Sequence, residues 1–210
     1  MAETSQDQIN RRANEKAAKR KAARDRVLAT KTIEKGLLIV HTGKGKGKST
    51  AAFGLAARAI GNGLKVGVVQ FVKGKWQTGE RQVLEAYPDQ VTIRAMGDGF
   101  TWETQDRARD IAAAERAWAA SQEMIVAARP PDPAYDMVIL DELNIVLRYD
   151  HLALDEVLAC LAARPPDLHV VVTGRNAKPA LIEAADLVTE MTMVKHPFRD
   201  GIKAQKGIEF

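Results

Sequence analysis

A chain of 210 residues, 46% hydrophobic and 28% charged, has the size of one ordinary domain with an extension and enough apolar side chains for a core. No apolar run approaches the ~18 residues of a membrane span, the charged N-terminus lacks the apolar centre of a secretory signal, and a single cysteine, Cys160, excludes an intrachain disulfide. The formal charge of +4 sits on residues 1–35, with ten Lys/Arg against five Asp/Glu; the rest holds 21 against 22, so the expectation is a cytoplasmic protein that binds neither nucleic acid nor membrane.

Residues 5–30 read as a helix, rich in Ala, Lys, Arg, Gln and Glu. Its apolar residues (Ile9, Ala13, Ala17, Val27, Leu28) are too few to support it alone, so it docks on something or remains a solvated arm. From residue 36 onward strands and helices alternate. Strands are predicted at 37–41, 65–71, 91–95, 137–141, 168–173 and 187–191, and helices at 48–61, 79–87, 104–128, 153–163 and 178–185. This pattern implies an α/β domain: an open, mainly parallel sheet flanked by helices and joined by right-handed crossovers. Runs such as VGVVQF and HVVVT are apolar throughout, as expected of strands covered on both faces. The Pro-rich stretch 128–136 is a loop that ends the long helix before it. Cys160, inside LDEVLACLAAR, reads as a small core residue. The expected division is a basic helical extension or lid, 1–35, and a phosphate-binding domain, 36–210.

The first chemical signal is LLIVHTGKGKGKST at 37–50, where an apolar strand runs into a glycine-lysine loop and then into a helix. Backbone N–H groups of such a loop cradle phosphate oxygens, and the helix that follows offers its positive end. The candidate nucleotide-binding residues are Thr42, Gly43, Lys44, Gly45, Lys46, Gly47, Lys48, Ser49 and Thr50. Lys48 reaches the outer phosphates, and the Ser49 hydroxyl ligates magnesium. The spacing departs from G-x-x-x-x-G-K-[ST]: the first glycine falls at Gly43, where the pattern expects it at Thr42. The second signal is MVILDELN at 137–144, in which an apolar strand delivers Asp141 and Glu142 to its end. A magnesium ion on a triphosphate needs an acidic oxygen ligand, directly or through water. Glu142 is favoured as the direct ligand, with Asp141 acting through water. From the residues alone this is a RecA-like P-loop protein that binds Mg-ATP, with phosphoryl transfer, motor work and rarer chemistry all open.

A third segment, GDGFTWETQD at 97–106, places two aromatics in a loop of a chain that is only 5% aromatic. With it the sequence closely resembles the P-loop type of ATP:corrinoid adenosyltransferases, the cob(I)alamin adenosyltransferases. The resemblance runs in order through TGKGKGKST (42–50), VGVVQFVKG (66–74), GFTWET (99–104), VILDEL (138–143), VVTGR (171–175), VKHPF (194–198) and GIKAQKGIEF (201–210). It covers residue 36 to the C-terminus and is looser over the N-terminal helix. The family's own loop has the shifted first glycine; Lys44 stands where an Asn is frequent and adds a positive charge.

The resemblance implies that the cobalt(I) of a corrinoid (cobalamin, cobinamide or cobyrinic acid diamide) attacks the ribose 5′ carbon of ATP and expels tripolyphosphate. The loop lysines, with Lys73 near them, then neutralise a leaving triphosphate. It implies too that Phe100 and Trp102 pack against the lower corrinoid face and exclude the axial ligand, which eases reduction of cobalt(II). Further candidates are Arg58, facing the nucleotide or solvated on its helix; Arg175, contacting phosphate; Glu80 and Arg81, at the corrinoid edge or capping a helix; and His196, on the substrate side. A homodimer is expected, with the N-terminal helix closing over the corrinoid. So is an electron donor such as reduced flavodoxin or a flavin reductase. The alternative is a RecA-like ATPase or kinase that yields ADP.

Overall fold

A computed structural model describes residues 5–72, 78–97 and 106–209. The chain divides into two compact units, Met1–Glu34 and Lys35–Phe210. The first is one helix, α1 (Ser5–Ala29), none of whose residues is buried.

In the second unit the elements run β1 (Leu38–Thr42), α2 (Lys48–Gly61), β2 (Val66–Gln70), α3 (Gly79–Leu84), β3 (Val91–Ala95), α4 (Arg107–Ala127), β4 (Met137–Asp141), α5 (Leu143–Arg148), α6 (Leu154–Ala162), β5 (His169–Thr173), α7 (Pro179–Ala184) and β6 (Leu187–Glu190). The six strands form one sheet in the order β3-β2-β4-β5-β1-β6, and every pairing is parallel. Strand β5 separates β1, which carries the glycine loop, from β4, which carries the acid pair. This is the expected α/β arrangement, an open parallel sheet flanked by helices.

All five residues of β1, of β2 and of β4 are buried, as their unbroken apolar pattern requires. Side chains alternate between the two faces of the sheet. Ile39, Val68, Ile139 and Val171 meet Ala52, Phe53 and Ala56 of α2 on one face. Val40, Leu140 and Val172 belong to the other core cluster, with Ala117 and Trp118 of α4, Leu147 of α5 and Leu161 of α6. Each such aliphatic side chain contributes about 1.5–3 kcal/mol of burial. The half-buried Cys160 packs against this second core, and burial raises its thiol pKa.

Two elements, α5 and α3, depart from their sequence-based expectation. Helix α5 was not foreseen, because six residues continuing an apolar strand carry no helical period. Glu142, in the left-handed conformation (φ 67°), turns the chain out of β4 into it. Strand β6 is exposed at all four residues, since it lies at the sheet edge. Helix α3 ends at Leu84, short of residue 87. Of the predicted helix 104–128, the described part starts at Arg107, where the Asp106 side chain caps it by accepting from the Arg109 N–H at 3.1 Å. No helix among the described residues is long and apolar enough to cross a membrane.

Candidate functional site

The glycine loop is shaped by what crosses it. The segment after β6 passes so close that a Cβ on Gly43 would sit 2.4 Å from the Met191 carbonyl oxygen, and one on Gly45 would sit 2.6 Å from that of Thr192. The Gly45 N–H donates to the Met191 carbonyl at 2.6 Å. Gly43 (φ 97°) and Gly47 (φ 101°) both adopt backbone angles that side chains disfavour. The glycine requirement therefore falls on Gly43 and not on position 42. Thr42 instead uses its hydroxyl oxygen to accept from the Ala177 N–H at 3.0 Å, tying the loop to the chain beyond β5.

Lys48 opens α2 and is only 7% exposed. Its Nζ donates to the Gly45 carbonyl at 2.5 Å, which holds it against its own loop. Burial lowers its pKa; Glu142 pulls the value up, while Arg175 and Lys46 push it down. Lys46 pairs with Glu209 of the C-terminal tail. Lys44 is exposed, Ser49 half-buried and Thr50 exposed.

The acid pair is built differently. Asp141 is fully buried with both carboxylate oxygens engaged. Oδ2 accepts from Gln70 Nε2 at 3.1 Å and Oδ1 from the Thr173 hydroxyl at 2.8 Å. Glu142 is half-buried and turns toward the loop. Glu142, Lys46, Lys48, Ser49 and Arg175 all line one cavity of about 220 Å³. A larger cavity, about 600 Å³, is lined by Thr42, Gly43, Lys44, Arg175 and Arg199 among others. Arg175 borders both, which makes it the side chain that connects them.

Residues the sequence reading did not single out also reach the smaller cavity: Thr78, whose side chain caps α3, and Ile208 and Glu209. The C-terminal motif GIKAQKGIEF was the available signal for the last two. Glu80 lines this same cavity. Arg81 lines neither cavity and donates from Nε to Glu85 at 2.6 Å. Arg58 is exposed on α2 and lines neither. His196 accepts at Nδ1 from the Phe198 N–H at 3.2 Å and caps a short 3-10 turn, Pro197–Asp200, whose Arg199 reaches the larger cavity. Phe100, Trp102 and Lys73 lie outside the described residues.

His41, one residue before Thr42, is 7% exposed, and neither ring nitrogen has a hydrogen-bond partner among the described residues. Burial lowers its pKa, because the charged imidazolium loses hydration there. Among the described residues no cluster of three His, Cys, Asp or Glu side chains could hold a metal by itself.

A model of the family described as ATP:corrinoid adenosyltransferase BtuR/CobO/CobP matches residues 34–210. The chain is 54% identical over 201 residues to a corrinoid adenosyltransferase of Pseudomonas aeruginosa, covering 96% of this chain and 97% of that one. It is 57% identical over 197 residues to a corrinoid adenosyltransferase of Sinorhizobium sp, covering 93% and 90%. It is 50% identical over 177 residues to the corrinoid adenosyltransferase CobA of Salmonella typhimurium, covering 84% and 87%. Among solved structures, the RadB recombinase gives a TM-score of 0.45 at 16% identity over 78% of each chain, a weak likeness.

Proposed function

This chain belongs to the ATP:corrinoid adenosyltransferase family, and from that premise we propose how it carries out the transfer of an adenosyl group from ATP to a corrinoid. The cobalt(I) of the corrinoid attacks the 5′ carbon of the ribose. A cobalt–carbon bond forms, the C5′–O bond breaks with its electron pair, and tripolyphosphate leaves. Cobalt(I) is already a strong nucleophile, so the protein supplies no general base. Its work is positioning and stabilisation of the charge on the leaving triphosphate.

The observation that carries this reading is the convergence of Lys46, Lys48, Arg175, Ser49 and Glu142 on one small cavity. Three cations there suit a polyphosphate, and the glycine loop's N–H groups add donors. The donor set also fits magnesium. A hydroxyl and a carboxylate line the same cavity, and a hard dication bound to a triphosphate takes few protein oxygens. Ser49 and Glu142 would hold it, with Asp141, both of whose oxygens are already engaged, behind Glu142. When bound, magnesium neutralises part of the phosphate charge.

Phe100 and Trp102 exclude the lower axial ligand, since apolar side chains offer cobalt no donor atom. The basic extension, residues 1–35, contributes to corrinoid retention. The working form is a cytoplasmic homodimer that receives electrons from a reduced flavodoxin or flavin reductase. The test mixes the protein with Mg-ATP and chemically reduced cob(I)alamin under anaerobic conditions and follows the visible spectrum. The expected result is a light-sensitive adenosylated product with release of tripolyphosphate. Accumulation of ADP without that product would instead indicate an ATPase.

A further inference from the structure

Four neighbouring strands carry polar side chains at one level, at or next to their last residues. Gln70 of β2 is in register with Asp141 of β4, and Thr173 of β5 is in register with His41 of β1. All four lie two residues beyond Val68, Ile139, Val171 and Ile39, so they share the sheet face covered by α2. The row lies where the apolar core gives way to the glycine loop.

Thr173 is the junction of this row. It is fully buried and borders neither cavity. Its hydroxyl donates to Asp141 Oδ1 at 2.8 Å and accepts from the Glu142 N–H at 2.9 Å, so both of its hydrogen-bonding roles serve the acid pair. A second bond secures the same turn: Asn144 Nδ2 donates to the Gly174 carbonyl at 3.1 Å. Gly174 (φ 127°) packs so tightly that a Cβ there would lie 2.8 Å from Asn144 Cβ and 3.1 Å from Glu142 Oε2. Glu142 occupies the left-handed region, which is costly for a residue of its size and persists where the surroundings over-determine it. Thr173 and Asn144 supply that over-determination from β5 and α5.

We infer that Thr173 is a positioning residue: its hydroxyl fixes the Asp141 carboxylate and the Glu142 backbone together, and so sets the Glu142 carboxylate at the phosphate cavity, where it meets the cation on ATP. This deepens the reading above and rests on its assignment of magnesium to Glu142. Outer partners of metal ligands act by orienting them, and their loss costs about 10–100-fold in metal affinity.

The test is calorimetric titration of ATP, without corrinoid, in excess magnesium and separately in EDTA. Wild type, Thr173→Val and Thr173→Ser are compared, with a melting temperature for each. The expected result is that Thr173→Val binds Mg-ATP about ten- to a hundredfold more weakly, binds ATP in EDTA as wild type does, and that Thr173→Ser restores Mg-ATP binding. If Thr173→Val does not fold, Thr173→Ala carries the same comparison. Unchanged Mg-ATP affinity in the variant overturns the inference. So does a parallel loss in both buffers that tracks the melting temperature, because that is the signature of a structural role. A wild type that binds ATP equally in magnesium and in EDTA overturns the magnesium assignment itself, and this inference with it. The corrinoid chemistry is tested separately by the spectral assay.

Discussion

Helices α1 and α2 are both long, regular and rich in helix formers, yet they are stabilised on opposite terms. Helix α1 runs 25 residues and buries none of them. What holds it is local: propensity and i,i+4 pairs such as Lys21–Asp25 at 3.1 Å and Arg11–Glu15 at 3.9 Å, each worth about 0.2–0.5 kcal/mol. Helix α2 runs 14 residues and buries six, including the cation that opens it. It is held by the sheet, and its first turn is fixed by a loop that packs against the chain beyond β6. Where the stabilisation is local, substitutions act locally. Where it is non-local, a single atom reports on several strands.

The largest expected effect on this contrast comes from the sheet. Leu140→Ala empties a fully buried site between β4 and the helices packed on it, and should cost about 2–5 kcal/mol in a denaturant titration. The phosphate loop is the next target. Lys48→Ala removes the buried cation of the cavity and should lower kcat/KM for ATP in corrinoid adenosylation by about 10²–10³-fold, the size found when one preorganised charge-stabilising donor is lost. Its melting temperature should stay near wild type, since the hydrogen bond the ammonium makes is to its own loop.

A smaller effect appears with pH. His41 and His151 both have pKa values lowered by burial, so the unfolded chain takes up their protons before the folded one does. Their contribution to stability is complete above the ordinary histidine value and is lost as pH falls below it. The denaturant midpoint should therefore drop between pH 7.5 and 5.5, and His41→Leu should make that drop shallower. The smallest effect is expected in α1. Lys21→Ala removes an exposed pair worth a few tenths of a kcal/mol. It should leave the unfolding midpoint of the sheet unit unchanged while slightly lowering far-ultraviolet helicity. If Lys21→Ala instead shifts the main transition, α1 is held by more than its local pairs and the contrast with α2 fails.

The amino-acid sequence by itself determined the alternation of strands and helices, the glycine loop, and the strand that ends in Asp141 and Glu142. These features are local. Strand periodicity, a glycine-lysine turn and an apolar run ending in carboxylates each leave their mark within a few residues. Their order along the chain carried the family resemblance that the comparisons then bore out. What only the tertiary structure decided is which of these residues meet. It revealed why the first loop glycine is Gly43, because the reason is the carbonyl of Met191, almost 150 positions away. It gave Asp141 and Glu142 different surroundings, since Gln70 and Thr173 reach Asp141 only when β2 and β5 flank β4. It brought Arg175 to the border of both cavities and left Arg58 and Arg81 away from them, although all three read alike as arginines near strand ends or helix turns. A side chain's partners depend on register between strands far apart in sequence, and no local pattern encodes that register.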